Sequence, residues 1–510
     1  MRNISILKTY NMSKSFLILL MAIFFNFQGM PQSSFQVTFR SPLNEYFSSM
    51  VEDNNGNYLA VGQQRYYNQF ETNKGIIWRI SHTGDTLSKV FSFGDTASAF
   101  SQIILNNNNY CTIIGGLTLW PDFNKSYILI LDLDTNLNIV NQKVIQPFPY
   151  KGAGFARMIR SNTAFYGLGS AIDQNDIVNP SIVKLSSEFD TMGIQTYPFY
   201  NGTGVFSGEF IDAIFSPDSS QIWTFTRLFT PDNLSYCDMM VVDTSLNFIS
   251  IKEFPFGSYP YFGDFNNNIS AKRITDSTFL VGGDYWHQYY PLASQFDIGF
   301  AEFDSSMVSV PVHTFGAVDT MDYSGFVKTF TFINSDSIYF TGTKRLVPGF
   351  FPPHVSWIYA GIFNRDYELY YKRFYGGDAH YWAEGIIRTS DGGSLISALR
   401  YDFNTQNDER DVFFLKLTPE GLITGIKENQ HCPYLPFAIY PNPGADILHL
   451  DLVISEAQFT LFNLNGIQLK TLLIKEGENH INCSDLSSGC YLVRVTNPSG
   501  EVFTQKWIKQ

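Results

Sequence analysis

Between residues 47 and 429 short apolar runs alternate with clusters of Gly, Asn, Asp and Ser. Runs such as 112–115 (TIIG), 279–282 (FLVG) and 338–342 (IYFTG) are rich in aromatic and β-branched residues. Bounded by turn residues, they predict strands. One unit recurs: a strand and turn, a second strand often ending in Gly, a variable loop, a third apolar strand (128–131, ILIL; 182–185, IVKL; 239–242, MMVV), a turn and a fourth strand. Copies begin near Phe47, Phe100, Gly152, Glu209, Ile269, Gly325 and Trp382, at spacings of 52 to 60 residues. The first and last copies align through their turns. Asn55-Gly56 falls where Gly392-Gly393 falls, and residues 82–85 (HTGD) where 418–421 (TPEG) fall. These turns use Gly or Asn for positive φ.

A four-stranded unit cannot bury both faces of its sheet alone. Packing seven copies radially solves this and protects the edges, which predicts a seven-bladed β-propeller over residues 40–429. Kelch-type blades have a similar period of about 50 residues. Two separate β-sandwiches are the alternative arrangement.

After Asn429 the pattern changes. Residues 430–437 contain two prolines and no period, as a linker would. Pro441-Asn442-Pro443 removes two donors and forbids a helix, which suits entry into a strand. Asn465-Gly466 lies between two apolar runs and predicts a hairpin. Tyr491, Val493 and Val495 share one face of a strand, with Arg494 on the other. A small C-terminal β-sandwich over 438–510 is the expectation, making the whole chain all-β.

Composition agrees with a folded, sheet-rich protein: of 510 residues, 44% are apolar and 16% charged, with 47 Phe and 29 Tyr. A net charge of −13 with no basic stripe argues against nucleic acid as a partner. Five cysteines, at 111, 237, 432, 483 and 490, are too scattered for a disulfide scaffold or a paired zinc site. At the N-terminus Arg2, Lys8 and Lys14 precede the apolar run 16–25 (FLILLMAIFF). Ten residues at about 1.5 Å each cannot span a hydrocarbon core of about 30 Å, so residues 1–33 read as a signal peptide. Met12 offers a second start, and Gly29 and Ser33 are the small residues near the cleavage region. No later stretch is long and apolar enough for a transmembrane helix.

The ordered motifs IYPNP…LHL, FTLFNLNGIQL, INCSDLSSGCYLVRV and terminal KWIKQ resemble the type A sorting domain of the type IX secretion system. The residues that carry the resemblance are Tyr440, Pro441, Asn442, Pro443, Asn465, Gly466, Leu486, Gly489 and Tyr491. It implies export by the signal peptide, then recognition by an outer-membrane translocon, and a secreted or cell-surface protein. It also implies a Bacteroidota-type source. Cys483 and Cys490 stand where that family usually has aliphatic residues. They either pair across a short loop, in the oxidising compartment that export implies, or stay as two separate buried thiols. The last repeat copy resembles the diverged propeller repeats of bacterial surface proteins.

Candidate chemistry is sparse. There is no His-Glu-x-x-His, Gly-x-Ser-x-Gly or P-loop motif. Residues 152–157 begin like a dinucleotide fingerprint, but Arg157 replaces the third Gly. Residues 132–136 (DLDTN) have calcium-loop oxygens, yet Leu137 and Lys143 occupy positions that need Gly and Glu, which leaves a hairpin turn. The eight histidines are dispersed singly along the chain. His380, between Asp378 and Glu384, marks the one carboxylate pair that a glycosidase could use. No catalytic residue, cofactor or metal ligand is assigned.

The leading functional expectation is a non-enzymatic binding protein for an extracellular glycan or peptide. A secreted hydrolase and a structural surface-layer component are the alternatives. The long second-to-third loops carry Tyr66-Tyr67, Trp120, Trp286 and Phe351. Aromatics on loops held by a stiff scaffold suit carbohydrate or peptide capture, so Trp120, Trp286 and Phe351 are the candidate ligand face.

Overall fold

The computed structural model describes residues 34–510, apart from 107–109, 120, 123–124, 199–206, 230–234, 237, 254–267, 289–293, 307–310, 318–319, 347–353, 405–408, 424–436, 442–443, 465 and 499–501. The expected signal peptide and nearly all of the expected linker lie outside the described residues. The chain divides into two compact units, 1–425 and 426–510. Both are all-β; among the described residues the only helical element is a 3-10 turn at Phe70–Thr72. No described helix is long and apolar enough to cross a membrane.

The first unit is a propeller-like succession of sheets. Its described strands form seven antiparallel sheets, spanning 44–90, 97–145, 152–196, 207–253, 270–315, 322–376 and 380–417. Along the main path of each of the first six, sheet order follows chain order. The seventh sheet takes its fourth strand from Phe35–Phe39, which pairs with Asp411–Leu417. That strand precedes residue 40, where the repeats were expected to begin. The seven starts read from the sequence fall within or beside the first strand of each sheet.

Burial explains why the apolar runs are continuous instead of alternating. Second and third strands such as Tyr58–Arg65 and Lys74–Ile80 are buried on both faces, while fourth strands such as Thr86–Val90 and Leu369–Gly376 are largely exposed. Each sheet shares an apolar cluster with the next. Leu59 and Ile77 meet Phe100 and Ile113, and Ile114 and Ile130 meet Phe155 and Val183. Clusters of the same kind join sheets three to seven in order. The succession is cyclic, because Leu395, Val412 and Phe414 of the last sheet pack on Phe47, Tyr58 and Trp78 of the first.

The turns between third and fourth strands share one device. In residues 134–138, Asp134 Oδ1 accepts the amides of Asn136 at 2.9 Å and Asn138 at 2.8 Å. The carboxylate that resembled a calcium ligand therefore holds a turn. The fourth turn residue has positive φ. It is Gly84 (+96°) or Gly421 (+69°) in two copies, but Leu137 (+62°), Phe189 (+59°), Leu246 (+72°) or Tyr367 (+63°) in others. A left-handed conformation costs a residue with Cβ about 1–2 kcal/mol. Leu137 offsets this by burying its side chain completely between the first two sheets. An inverted ranking is expected in urea unfolding. Leu137→Ala should lose about 2–5 kcal/mol of packing and keep the strain, whereas Leu137→Gly removes the strain as well. Leu137→Gly should therefore be more stable than Leu137→Ala by about 1 kcal/mol; equal stability would refute the account.

The second unit differs from the expected β-sandwich. It is one five-stranded sheet coiled into a near-barrel, ordered Phe437–Tyr440, Ile447–Asn463, Gly489–Thr496 and Val502–Lys509, with Gln468–Asn482 also paired to Ile447–Asn463. The two long strands do not divide between two sheets. They bend at a register shift between Leu452 and Glu456, where irregular pairing strengthens the coil. The last strand then returns to the chain's entry, with Gly444 N–H donating to Ile508 O and Gln510 N–H to Gly444 O, both at 2.8 Å. Phe437, Leu450, Phe459, Val493 and Trp507 fill the interior.

Candidate functional site

The first strand of five sheets carries an irregularity at one position: Phe47/Ser49, Phe100/Gln102, Phe155/Arg157, Phe210/Asp212 and Ala383/Gly385. It pushes a carbonyl toward the second strand, which explains the Gly that ends so many second-strand runs. A Cβ on Gly62 would sit 1.9 Å from Tyr46 O, and one on Gly115 would sit 2.2 Å from Ala99 O. After three of these bulges, at Gln102, Arg157 and Asp212, the side chain reaches another sheet. Gln102 Oε1 accepts Met158 N–H at 2.6 Å while its Nε2 donates to Met158 O at 3.2 Å. Asp212 Oδ2 accepts Ala271 N–H at 2.9 Å.

The sixth sheet departs from this pattern. Its first strand is split into Asp322–Ser324 and Phe330–Thr331. The intervening backbone leans onto the seventh sheet, with Val327 and Lys328 N–H donating to Glu384 O at 2.7 and 2.9 Å. Arg157, from the third sheet, reaches the same segment. One Nη donates to Val327 O at 3.0 Å and the other lies 3.3 Å from Asp212 Oδ1. A cavity of about 220 Å³ opens here, lined among others by Ser49, Gln102, Arg157, Lys328 and Gly385. Among the described residues, no carboxylate lines it. Its lining runs along the first strands toward Val51, Ile104 and Ile387, near the ends that turn into second strands.

Lys328 is the unusual group. Among the described residues its ammonium has no hydrogen-bond or ion-pair partner. Burial pulls its pKa down to about 8, helped by Arg157 and Lys272 and opposed by Asp212. Arg157 and Lys328 thus make the cavity a cationic recess. The sequence reading missed Lys328, Arg157 and Asp212. The available signal was the polar residue two places after the recurring Phe in copies one to four.

The candidate pair around His380 does not converge. Asp378 accepts from Arg400 at 3.1 Å and from Tyr381 Oη at 2.9 Å, and these bonds hold its carboxyl below the ordinary range against burial. Glu384 is buried at the bulge, 4% exposed, with Oε2 unpartnered, and burial raises its pKa well above the usual value. Between His380 and Glu384 the strand alone spans about 13 Å at ~3.3 Å per residue. Burial also pushes the His380 imidazole down to about 4, with Nδ1 3.2 Å from His354 O.

Of the expected ligand-face aromatics, Trp120 and Phe351 lie outside the described residues. Trp286 is not on a loop. It lies on the strand Thr278–Gln288, opposite Phe296, because this hairpin extends its ladder to Gln288–Ser294. Tyr66 and Tyr67 are exposed on a second-to-third connection, and Arg410 lies 5.6 Å from the Tyr67 ring.

In the second unit, Asn442, Pro443 and Asn465 also lie outside the described residues. Tyr440 is exposed at the end of the entry strand, and Pro441 O accepts Trp507 Nε1–H at 3.0 Å. Gly466 has φ +77° in the expected hairpin turn. Leu486 packs on the core, Gly489 begins a strand, and buried Tyr491 donates to Ser487 O at 2.6 Å. The terminal KWIKQ has a clear structural role. Buried Lys509 donates to Cys483 O at 2.7 Å and Leu486 O at 2.8 Å, so it caps the loop before Gly489. Cys483 and Cys490 are both free thiols. Cys483 faces the core, whereas Cys490 alternates with Tyr491 and lies on the other face of its strand.

Residues 438–510 match the family described as the secretion system C-terminal sorting domain. A comparison with curated protein sequences gives no match. Solved structures similar to the chain include the α-L-arabinofuranosidase Arb93A of Fusarium graminearum, at 8% identity and TM-score 0.38, covering 76% of this chain and 97% of that one. A Penicillium chrysogenum α-L-arabinanase has 9% identity, TM-score 0.34 and coverage of 76% and 99%. A subtype N10 neuraminidase-like protein of a bat influenza A virus has 9% identity, TM-score 0.34 and coverage of 75% and 97%. The sorting-domain match marks the chain as a type IX secretion substrate, secreted or displayed at the cell surface.

Proposed function

We propose that the first unit is one seven-bladed β-propeller that serves, outside the cell, as a ligand-binding module for an acidic glycan or peptide. The cyclic succession of shared cores and the closing strand Phe35–Phe39 support the ring. The observation that carries the binding assignment is the Lys328 ammonium beside Arg157, unpartnered among the described residues, in a cavity that no described carboxylate lines. A half-buried ammonium with no hydrogen-bond or ion-pair partner is under-solvated, and an incoming carboxylate would relieve that cost. The exposed pair Tyr66 and Tyr67 supports its second-to-third connection as an additional contact surface. The same cavity offers no acid–base pair to the hydrolase alternative.

Calorimetric titration of the full chain with trigalacturonate and with an Asp/Glu hexapeptide, each against its neutral counterpart, tests the reading. One acidic probe should bind. Its affinity should fall at least tenfold in Lys328→Met, whose melting should not drop. The pH dependence has a definite sign: the charged amine is the binding form, so affinity weakens as pH rises through about 8. Equal binding of acidic and neutral probes, or unchanged affinity in Lys328→Met, would overturn the assignment.

A further inference from the structure

Two histidines far apart in sequence meet on the surface of the sorting module. The strands Ile447–Asn463 and Gln468–Asn482 pair so that His449 lies directly opposite His480, and Asp451 opposite Glu478. Because side chains alternate along a strand, these four share the face away from buried Leu448, Leu450 and Ile481. The rings of His449 and His480 have centroids 4.6 Å apart. Glu478 Oε1 lies 2.9 Å from His449 Nδ1 and 3.8 Å from His480 Nε2. One donor atom from each of the three residues falls within a 4.8 Å span.

We propose that His449, Glu478 and His480 form a surface site for a divalent transition metal of the zinc, copper or nickel class. Two imidazoles and one carboxylate are the donor set those ions prefer, whereas calcium and magnesium take oxygen-rich sites. Ligand atoms about 2.1 Å from a tetrahedral ion sit about 3.4 Å from one another, so small side-chain rotations suffice. Three protein ligands leave a position for water or for a donor from another molecule.

The surroundings suit the role. Tyr440 stacks on His449, with centroids 5.3 Å apart and an interplanar angle of 9°. Its hydroxyl donates to Glu478 Oε1 at 2.9 Å, the kind of outer contact that orients a metal-ligating carboxylate. A bound ion would link the entry strand, through Tyr440, to the long hairpin.

The test uses the tag-free full chain at pH 7.5, titrated with Zn²⁺ and separately with Cu²⁺, with metal content measured after desalting. One equivalent should bind at micromolar concentration. His449→Ala and His480→Ala should each weaken this at least tenfold without lowering the melting temperature of the metal-free protein. His354→Ala, in the other unit, should leave binding unchanged. Absence of stoichiometric binding at 100 µM metal, about the upper end for a useful site, would overturn the proposal. So would full retention of binding in the His449→Ala/His480→Ala double variant.

Discussion

Truncation after Gln430 is expected to leave a folded propeller in the periplasm and none outside the cell. The two units have separate interiors. Every residue of the seven clusters in the first unit lies between Phe35 and Ile423, and the second unit's cluster runs from Phe437 to Trp507. Each interior is built from its own unit's residues, so truncation should spare the first unit's clusters while it removes the whole sorting signal. Cell fractionation with an antibody to the propeller, and a urea melt of the periplasmic material, measure the two halves of the claim. An effect of this kind is nearly all-or-none for export and within about 0.5 kcal/mol for the propeller's stability. Appearance of the truncated chain in the medium would refute the sorting role. Loss of cooperative unfolding would refute the independence of the units.

Much of this architecture was readable from the chain because each repeat satisfies the same local constraints. The Gly after 59–61 and 112–114 stands opposite a bulge, where any Cβ would strike a carbonyl. The continuous ILIL-type runs reflect strands buried on both faces. Three features were hidden, each for a physical reason. Phe35–Phe39 belongs to a sheet whose other strands lie more than 340 residues away, so no local pattern assigns it. The near-barrel arises from a register shift within Ile447–Asn463, which apolar alternation does not reveal. Among the described residues, the split first strand of the sixth sheet has no counterpart in the other copies.

The candidate sites were less legible than the fold. Aromatic loop residues and a His between two acids are conspicuous in a sequence, yet Asp378 spends its carboxylate on Arg400 and Tyr381. Lys328 is inconspicuous, because its environment depends on Arg157 arriving from a strand 170 residues earlier. His449 and His480 look unrelated until strand pairing places them side by side. In each case the chemistry is a property of register, which composition and spacing do not fix.

Deleting Phe35–Phe39 should cost the propeller about 5 kcal/mol or more, larger than any single substitution considered above. The strand closes the seventh sheet over five register pairs, from Phe35 opposite Lys416 to Phe39 opposite Val412. Its rings also tie the two ends of the succession together. Phe39 lies 6.2 Å from Trp78 in the first sheet and 5.9 Å from Phe414 in the seventh, while Phe35 lies 6.0 Å from Tyr58. Without it, Asp411–Leu417 becomes an open, apolar sheet edge, and the molecule should tend to self-associate. Half-buried aromatics replaced by Ala should lose somewhat less than the ~3–5 kcal/mol of fully buried ones, so Phe39→Ala is expected to cost about 2–3 kcal/mol. Gln36→Ala, on the alternate face, should stay within about 0.5 kcal/mol. Urea unfolding of the three variants gives the ranking, and a synthetic peptide of residues 34–41 added to the deletion variant should restore part of the loss. Equal stability of Phe39→Ala and Gln36→Ala, with no rescue by the peptide, would mean that the ring is held by its sheet-to-sheet cores alone and that the strand is dispensable.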